Sequence, residues 1–338
     1  MKTTRLLVSA DRPEPGTISR AAAILKEGGI VAFPTETVYG LGADAFNTSA
    51  IQKVFEAKGR PSDNPLIVHI AELSYLDSLA VSIPVIGRTL ANEFWPGPLT
   101  LVLQKTSEVP GTVTAGFDTV AVRMPHHPVA LSLIRQVGRG VVAPSANTSG
   151  RPSPTTAQHV LDDLDGRIDA VLDAGPTLIG VESTVLDVTS VPPIILRKGG
   201  LPKEDIERVV GTVHTKPDTE VSPRSPGNRY RHYAPRARVI LVAQGDSAAL
   251  AKVLHESEGS MKKITCVLHS IPDPARSERV VVRRAPEAIE DFSRVLFEYL
   301  RECDKTGMEF IIVESVREEG LGAAVMDRLR RASAATSK

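Results

Sequence analysis

The chain has 338 residues, of which 42% are hydrophobic and 24% charged, and 40 basic side chains balance 40 acidic ones to a formal net charge of zero. This composition is globular and excludes a disordered chain or a coiled coil, and the length exceeds what one hydrophobic core usually supports, so we expect two domains. Zero net charge argues against a protein whose whole surface binds a polyanion, although it permits a local basic cleft.

Short apolar runs alternate with amphipathic stretches in the N-terminal part of the chain. The apolar runs predict strands at residues 30–33, 66–70, 99–103, 120–124, 140–144, 170–173, 184–188 and 194–198. The amphipathic stretches predict helices at residues 49–58, 84–94, 128–137, 156–164 and 202–210. Strands and helices mixed in this way predict an α/β domain with a mostly buried sheet, which we assign to residues 1–210.

A second, shorter alternation follows a polar linker with several prolines at residues 211–237. Its predicted strands and helices are residues 238–243, 247–256, 263–269, 280–284, 288–303, 309–316 and 322–334. Apolar, β-branched strands separated by helices predict a small parallel sheet, and therefore a Rossmann-like C-terminal domain at residues 238–338.

The cysteines and the apolar segments bear on where the protein works. Cys266 and Cys303 are too few for a disulfide framework or a cysteine-rich zinc site, which fits a reducing compartment. The first residues lack the apolar run of a signal peptide, and no stretch approaches the roughly 20 apolar residues of a membrane span. We expect a soluble, cytoplasmic protein with no membrane partner.

Polar residues follow the first predicted strand in the stretch FPTETVYGLGADA, residues 33–45. The hydroxyls of Thr35 and Thr37 and the carboxylate of Glu36 are groups that can receive a small polar ligand at a strand end. By itself this is a weak signal, and an ordinary connection from a strand to a helix is the simpler interpretation.

A cationic stretch, KGRPSDNPLIVHI, occupies residues 58–70. Lys58 and Arg60 close a predicted helix, whose C-terminal end favours positive charge for structural reasons alone. Rigid X-Pro corners follow at Arg60 and Asn64, and His69 lies near the end of the next strand. These additional features exceed what a helix end requires.

Small hydroxyl and amide residues follow another strand in VAPSANTSGRPSPT, residues 142–155. Ser145 and Asn147 offer hydrogen-bond donors with little bulk, which suits the close approach of a phosphate or a ribose. Turns favour the same residue types, so both interpretations stay open.

Two arginines, Arg123 and Arg197, lie within apolar, strand-like runs. A half-buried guanidinium requires an anionic partner. That partner is either an internal carboxylate or a carboxylate or phosphate of a substrate. Ser183, just before another predicted strand, adds a hydroxyl next to a strand, as Thr35, Thr37 and Ser145 do.

Several standard motifs are absent from the sequence. There is neither a P-loop nor a Gly-x-Gly-x-x-Gly between strand and helix, and Ser145 lacks the Gly-x-Ser-x-Gly elbow of a hydrolase. The pair His126-His127 has no third ligand at a suitable spacing, so we predict no metal site formed by protein side chains.

The motifs are much more specific together than singly. In this order, FPTETVYGLG, KGRP, NPL, PSANTSG and STV resemble the threonylcarbamoyl-adenylate synthase family with its YrdC-like domain. The stretch SPGNRYRHYAP, residues 225–235, and the α/β domain after it resemble the long, two-domain form of that family, with Asn228 where methionine is expected. The resemblance covers nearly the whole chain and implies a twisted mixed sheet with helices for the first domain.

The resemblance also implies a reaction. L-threonine, bicarbonate and ATP, with Mg²⁺ bound to the ATP, give L-threonylcarbamoyl-adenylate and pyrophosphate. A downstream transferase complex then moves the threonylcarbamoyl group onto the adenosine next to the anticodon of tRNA. Such a nucleotidyltransferase needs positioning and charge stabilisation rather than a protein nucleophile.

The same resemblance implies the site residues. The family signature, taken as catalytic, falls on Lys58, Arg60, Ser145 and Asn147. The expected ATP contacts are Lys58, Arg60, Asn64, Thr119, Ala143, Ser145, Arg197 and Tyr230. The expected threonine contacts are Thr37, Thr35, His69, Arg123 and Ser183, and the sequence does not choose between Thr35 and Thr37. The expected lid over the cleft carries Arg229, Arg231, His232 and Tyr233.

Two other functions stay open. Carbamoyl-transferring proteins of hydrogenase maturation contain a related domain, but they would bring zinc-finger cysteine pairs that Cys266 and Cys303 do not supply. An RNA-binding module, or weak RNA binding beside an enzymatic activity, is the second, and 4% aromatic residues argue against a base-stacking platform. For the C-terminal domain we expect a scaffold that positions the linker.

Overall fold

The computed structural model describes residues 2–216, 233–258, 263–274 and 277–336. The chain forms two compact units. Unit 1 comprises Met1–Ser149 and Ser153–Tyr230, and unit 2 comprises Gly150–Pro152 and Arg231–Lys338. Across the described residues, no helix combines the length and the apolar character needed to cross a membrane.

Unit 1 contains strands and helices close to the bounds that the sequence predicts, together with several that it does not. Its strands are β1 (Thr4–Leu7), β2 (Val31–Phe33), β3 (Gly40–Asp44), β4 (Ile67–His69), β5 (Leu99–Gln104), β6 (Thr119–Arg123), β7 (Val141–Val142), β8 (Ala170–Asp173), β9 (Thr184–Asp187), β10 (Ile194–Arg197) and β11 (His214–Thr215). Its helices are α1 (Pro15–Lys26), α2 (Thr48–Lys58), α3 (Leu76–Leu79), α4 (Val85–Phe94), α5 (Gly111–Thr114), α6 (Pro128–Val137), α7 (Ala157–Leu164) and α8 (Lys203–Val210), with a 3₁₀ turn at Leu73–Tyr75.

These strands form one 11-stranded sheet in the order β1-β8-β2-β3-β7-β4-β6-β5-β9-β10-β11. Neighbouring strands run both ways: β4 is parallel to β6, whereas β5 is antiparallel to β6. The sheet is therefore mixed, and the α/β fold expected for the first domain is confirmed.

Side chains alternate between the two faces of this sheet, and the alternation decides which face carries polar groups. On β6, Val120 and Val122 belong to the main hydrophobic core. Ala121 points to the other face, where it belongs to a small apolar cluster with Ile67, Val102, Val185 and Leu196. Two residues from Ala121 along β6, on the same face, are Thr119 and Arg123.

The connection after β2 leads into a strand, β3, and not into a helix as expected. β3 has the sequence GLGAD, which carries no β-branched residue and so gives no strand signal. The glycines are required by close packing: a Cβ on Gly42 would lie 2.8 Å from the Phe33 ring, and one on Gly40 would lie 3.0 Å from the Ala143 Cβ. The polar loop is thereby shortened to residues 34–39.

Helix α2 has local signals at both ends that determine where Lys58 lies. The Asn47 side chain accepts a hydrogen bond from the Ala50 amide at 3.1 Å and caps the N-terminus. Gly59 ends the helix with a φ of 58°, a left-handed conformation that favours glycine. Lys58 is thus the last residue of the helix, and its side chain is buried.

Unit 2 is built on a four-stranded, fully parallel sheet in the order β12-β15-β13-β14. Its strands are β12 (Arg238–Val242), β13 (Ile264–Leu268), β14 (Val280–Arg284) and β15 (Phe310–Glu314), and its helices are α9 (Ser247–Glu258), α10 (Ile289–Lys305) and α11 (Leu321–Thr336). The small parallel α/β domain expected from the sequence is confirmed.

The carboxyl end of β15 in unit 2 is closed by the side chain of Glu314. Its oxygens accept hydrogen bonds from the amides of Gly245 at 3.0 Å, His269 at 2.7 Å, Ser270 at 2.9 Å and Ile271 at 3.1 Å. Parallel sheets usually bind ligands at this end of their strands. Here an internal carboxylate occupies amide groups of the kind that bind a ligand anion, and the scaffold role expected for this unit stays a prediction.

Candidate active site

Four expected site residues lie at the same end of neighbouring strands in the unit 1 sheet. His69 ends β4 and Arg123 ends β6, and the two are register partners in this parallel pair. Because β5 is antiparallel to β6, β9 is parallel to β5 and β10 is antiparallel to β9, Ser183 before β9 and Arg197 at the end of β10 reach the same edge. All four side chains are buried.

Arg123 has an internal anionic partner, which was one of the two alternatives left open by the sequence. Its Nε donates a hydrogen bond to the Gly97 carbonyl oxygen at 3.2 Å. Its Nη2 lies 2.8 Å from Oε1 of Glu36. The guanidinium therefore carries a buried ion pair, and its position at the end of β6 is fixed by the Gly97 backbone.

The imidazole of His69 is neutral at neutral pH. Burial, followed by the positive charge of Arg123, lowers the pKa of His69 to about 3. Its Nδ1 has no hydrogen-bond partner among the described residues. A neutral imidazole with an unused nitrogen can bind a hydroxyl or carboxylate of a ligand by hydrogen bonding rather than by charge.

Ser183 and Arg197 form one hydrogen-bonded group with Thr100. Nε and Nη2 of Arg197 donate to the Ser183 carbonyl oxygen at 3.1 and 2.9 Å, and Nη2 also donates to the Ser183 hydroxyl at 3.0 Å. That hydroxyl lies 2.8 Å from the Thr100 hydroxyl. Arg197, expected among the ATP contacts, thus lies with the residues expected to contact threonine.

The loop at residues 34–39 presents the two threonines that the sequence could not separate. The hydroxyl of Thr35 donates to the Val38 carbonyl oxygen at 2.7 Å and accepts the amides of Thr37 and Val38 at 3.2 Å each, so it stabilises the turn. The hydroxyls of Thr35 and Thr37 are 2.7 Å apart. Since the proton of Thr35 is used by Val38, Thr37 is the donor in this contact and retains acceptor capacity.

A second group of expected residues lies toward the other end of β6. Thr119 is the first residue of this strand, and Arg123 is the last. The Ala143 amide donates to the Ile67 carbonyl oxygen at 3.1 Å, at the start of β4, and Ser145 forms an isolated bridge with Gly40. The backbone of Thr119, Ala143 and Ser145 is thereby displaced along the strand direction from that of Arg123, although the Arg123 side chain reaches Glu36 in the loop that leads into Gly40.

Lys58 is bound to the backbone of the loop that carries Ser145 and Asn147. Its ammonium donates to the carbonyl oxygens of Ser145 and Asn147, the latter at 2.7 Å. The Ser149 amide in turn donates to the Lys58 carbonyl oxygen at 2.8 Å. The two parts of the family signature, one at Lys58 and Arg60 and the other at Ser145 and Asn147, therefore meet through the Lys58 side chain.

Arg60 begins the segment that the two X-Pro bonds, Arg60-Pro61 and Asn64-Pro65, make rigid. Its Nη2 donates to the carbonyl oxygens of Asn64 at 3.4 Å and Pro65 at 3.0 Å, and the side chain is half-buried. The two prolines thus form a rigid frame that orients the Arg60 guanidinium.

The lid residues Arg229, Tyr230, Arg231 and His232 lie outside the described residues. Tyr233 is described and belongs to unit 2, where its ring stacks on Phe297 with centroids 5.6 Å apart. The guanidinium carbon of Arg328 lies 4.9 Å from the centroid of the Tyr233 ring. These contacts place the Tyr233 side chain in the packing of unit 2.

Thr100 and Gly97 had no role in the sequence-based predictions, and Glu36 was expected only as a carboxylate that can receive a polar ligand, not as the partner of Arg123. Thr100 is a polar residue in an apolar strand, as Arg123 is. The polar residue inside an apolar run was the signal available for Thr100. Nothing in the sequence indicated that Gly97 would orient Arg123.

Comparison with known proteins identifies the family. Residues 23–199 match the family profile Sua5_yciO_yrdC, described as telomere recombination, and residues 201–334 match Sua5_C, described as threonylcarbamoyl-AMP synthase, C-terminal domain. The threonylcarbamoyl-AMP synthase of Pyrococcus abyssi is 48% identical over 96% of this chain and 96% of its own. The chain belongs to the threonylcarbamoyl-AMP synthase family.

Two further matches within the threonylcarbamoyl-AMP synthase family cover nearly the whole chain. The protein of that name from Bacillus subtilis is 46% identical over 98% of both chains. The crystal structure of P. abyssi Sua5 complexed with L-threonine has a TM-score of 0.93 at 47% identity and covers 99% of this chain and 98% of that one. The family inferred from the order of the motifs is confirmed, and a match of the C-terminal unit to Sua5_C argues against the hydrogenase-maturation alternative.

Proposed function

We propose that this protein synthesises L-threonylcarbamoyl-adenylate from L-threonine, bicarbonate and ATP, with release of pyrophosphate, for modification of the adenosine next to the anticodon of tRNA. The observation that carries the proposal is the buried cluster of Arg123, His69 and Ser183 in a chain whose full-length relatives are named for this activity. One of those relatives is described as complexed with L-threonine.

The reaction consists of two bond-forming steps. The threonine amine attacks bicarbonate to give a carbamate and water, and a carbamate oxygen then attacks the α-phosphorus of ATP as the bond to pyrophosphate breaks. Neither step uses a protein nucleophile, so the protein contributes position and charge. Lys58, Arg60 and Arg197 are the cations that we assign to the phosphates.

The two substrates are assigned to the two ends of β6. The threonine carboxylate pairs with Arg123, and ATP binds from the end formed by Thr119, Ala143 and Ser145, together with Asn64. Four residues of a strand span about 13 Å, which leaves space for the α-phosphate between the two groups. Asn147 contributes by holding the loop of Ser145 through Lys58.

Thr37 rather than Thr35 is assigned to the substrate. Thr35 uses its proton and its lone pairs within the turn, whereas the Thr37 oxygen can still accept a hydrogen bond. Neutral His69 and the Ser183 hydroxyl are assigned to the polar groups of L-threonine. Sites that bind a substrate hydroxyl reject the analogue without it by up to ~10⁴–10⁵-fold, whereas serine, which lacks only a methyl group, is rejected less well.

The remaining partners follow from the reaction. Within the described residues, no three His, Cys, Asp or Glu side chains are arranged to hold a metal ion. Mg²⁺ is assigned to ATP, whose phosphate oxygens are its ligands. The unstable product passes to a downstream tRNA threonylcarbamoyl-transferase complex. Weak RNA binding, if it accompanies this transfer, depends steeply on salt concentration.

The test is the substrate requirement for pyrophosphate release. The purified full-length protein should release pyrophosphate from ATP only when L-threonine and bicarbonate are both present. Release that does not depend on one of them, or no release with both, would refute the proposal. RNA affinity with a steep salt dependence and no turnover would instead identify a binding module.

A further inference from the structure

The ion pair between Glu36 and Arg123 is buried, but several of its polar atoms make no hydrogen bond. Glu36 is 3% exposed and Arg123 is 4% exposed. Oε1 of Glu36 and Nη2 of Arg123 are 2.8 Å apart. The two groups are not aligned as a hydrogen bond, and neither carboxylate oxygen of Glu36, nor Nη2 of Arg123, has another hydrogen-bond partner among the described residues.

Such an arrangement is unfavourable for a purely structural pair. Removing two charges from water is compensated only when the geometry is good and additional hydrogen bonds satisfy the remaining lone pairs and protons. Buried polar groups in folded proteins are normally hydrogen-bonded, and each exception requires an explanation, of which a ligand or a catalytic role is one. Glu36 and Arg123 together leave one anionic and one cationic group with unused hydrogen-bonding capacity.

The backbone holds Glu36 in this place. Its carbonyl oxygen accepts hydrogen bonds from the amides of Leu178 at 3.1 Å and Ile179 at 2.8 Å, and the Thr37 carbonyl oxygen accepts the Gly180 amide at 3.1 Å. The loop is thereby tied to the segment that leads to Ser183. Because Arg123 is anchored by Gly97, both members of the ion pair are fixed before a ligand arrives.

An α-amino acid carries one cationic and one anionic group, each of which can pair with the oppositely charged member of the Glu36–Arg123 pair. Its carboxylate complements a guanidinium, and its ammonium group complements a carboxylate, with hydrogen bonds that are about twice as strong as those between neutral groups. We propose that Glu36 binds the α-ammonium group of the threonine substrate while Arg123 binds its carboxylate, so that the zwitterion completes the ion pair. This inference rests on the proposed function, and it makes Glu36 a specificity-determining residue.

The Glu36 carboxylate then selects the nitrogen that is to be carbamoylated, and the bound ammonium group gives up one proton to solvent before its nitrogen attacks bicarbonate. An α-hydroxy acid of the same shape offers the carboxylate and an uncharged hydroxyl, so Glu36 would receive a neutral donor in place of a cation. A charged hydrogen bond contributes about 1.5–3 kcal/mol, so the protein should prefer L-threonine over its α-hydroxy analogue by about 10- to 100-fold. The free ion pair meanwhile keeps Arg123 neutralised in the buried site.

The experiment measures binding to the full-length protein by calorimetry with three probes: L-threonine, its α-hydroxy analogue, and threoninol, which lacks the carboxylate. The wild-type protein should bind L-threonine about 10- to 100-fold more tightly than the hydroxy analogue. Glu36→Gln should abolish this preference, and Glu36→Asp, which keeps the charge, should retain part of it. The matched control is Asp44→Asn, which removes a buried carboxylate of unit 1 that is paired with Arg139 at 3.4 Å and should leave the preference unchanged.

The outcomes separate this inference from the proposed function. If Glu36→Gln keeps the wild-type ratio between L-threonine and the hydroxy analogue, Glu36 serves only to neutralise Arg123, and the inference is overturned. If the wild-type protein binds no L-threonine at all, the proposed function itself fails. Binding of L-threonine and threoninol with equal affinity contradicts the assignment of Arg123 to the carboxylate but not that of Glu36 to the ammonium.

Discussion

His69 and Arg123 are register partners at the ends of the parallel strands β4 and β6, so a neutral imidazole lies beside a buried guanidinium. The histidine is kept neutral by burial and by the positive charge of its neighbour. In consequence, the two residues offer a ligand both a hydrogen-bonding ring and a cation at one edge of the sheet.

The neutral state of His69 makes the stability of unit 1 sensitive to acid. The pKa of His69 is lowered to about 3 in the folded protein, whereas an unfolded histidine titrates near 6.5. The unfolded chain therefore binds more protons between these values, and stability falls as the pH decreases from about 6.5 toward 3, by up to about 1.4 kcal/mol per pH unit. The fluorescence of Trp95, the one tryptophan of the chain, can follow urea unfolding at several pH values.

A variant isolates this contribution. His69→Gln should reduce the pH dependence of the urea midpoint between pH values of about 6.5 and 4, although buried His127, whose pKa is also lowered by burial, keeps its own contribution. His126→Gln, at an exposed histidine of the same unit, is the control and should leave the wild-type profile unchanged. Equal slopes for the wild-type protein and His69→Gln would show that His69 is not the group responsible.

Arg60 and Arg123 should affect different substrates because they lie in different parts of unit 1. Arg60→Ala should raise the KM for ATP, and a substitution of Arg123 should raise the KM for L-threonine, each by about 10- to 100-fold. Removing the Arg123 charge leaves Glu36 unpaired and is expected to destabilise the fold by about 3–5 kcal/mol. Arg123→Lys, which keeps the charge but loses the bidentate geometry, is therefore the better variant. Identical kinetic defects in both variants would contradict the assignment of Arg60 to ATP and Arg123 to L-threonine.

Lys58 should matter for folding as well as for ATP. Lys58→Met removes the ammonium that binds the Ser145 and Asn147 carbonyl oxygens and leaves both without this donor. We expect a loss of about 3 kcal/mol in unfolding free energy, since hydrogen bonds from charged groups contribute about 1.5–3 kcal/mol each. Pyrophosphate release should fall with it.

The control for Lys58 lies on the same helix. Lys53 donates a hydrogen bond from its ammonium to the Gly28 carbonyl oxygen at 2.8 Å, and the residue is exposed. Lys53→Met should cost less than about 1 kcal/mol and leave pyrophosphate release intact. A stability loss as large as that of Lys58→Met would mean that the Ser145 loop does not depend on Lys58 in particular.

Glu314 should give unit 2 its own acid sensitivity. Burial alone would raise the pKa of Glu314, but hydrogen bonds from Ser270, Gly245, Ile271 and His269 outweigh it and lower the pKa to about 2. Because the folded pKa is depressed, this stabilisation is present above about pH 4.5 and is lost as the pH falls toward 2; it is on the order of 3 kcal/mol. Hydrogen exchange of the β15 amides in the full-length protein measures it.

Glu314→Gln should reduce the protection of these amides against exchange at neutral pH, and it should reduce the further loss of protection at acid pH. Glu309→Gln, at an exposed position just before the same strand, is the control and should exchange like the wild-type protein. Unchanged protection of the β15 amides in Glu314→Gln would show that the carboxylate is not what holds this end of the sheet.

The strands and helices that the sequence predicted share strong local signals. Helix α6 combines a proline at its start with an apolar stripe and a glycine after its end, and strands such as β5 are apolar runs of ordinary length. Strand β3 was not predicted, because glycines replace the β-branched residues that mark a strand. Gly42 packs closely against the Phe33 ring, and Gly40 packs against Ala143, far along the chain. No local sequence pattern indicates contacts of this kind.

The sequence by itself determined the two-unit α/β organisation and the motifs that identify the family, because these depend on local periodicity and on residue order. Only the tertiary structure decided how the motifs meet. Sheet register brings Arg123 beside His69, Lys58 reaches the carbonyl oxygens of a loop far along the chain, and Arg197 is fixed on Ser183. The anionic partner of Arg123, Glu36, is likewise set by strand pairing and loop geometry, which place groups together that no spacing in the sequence connects.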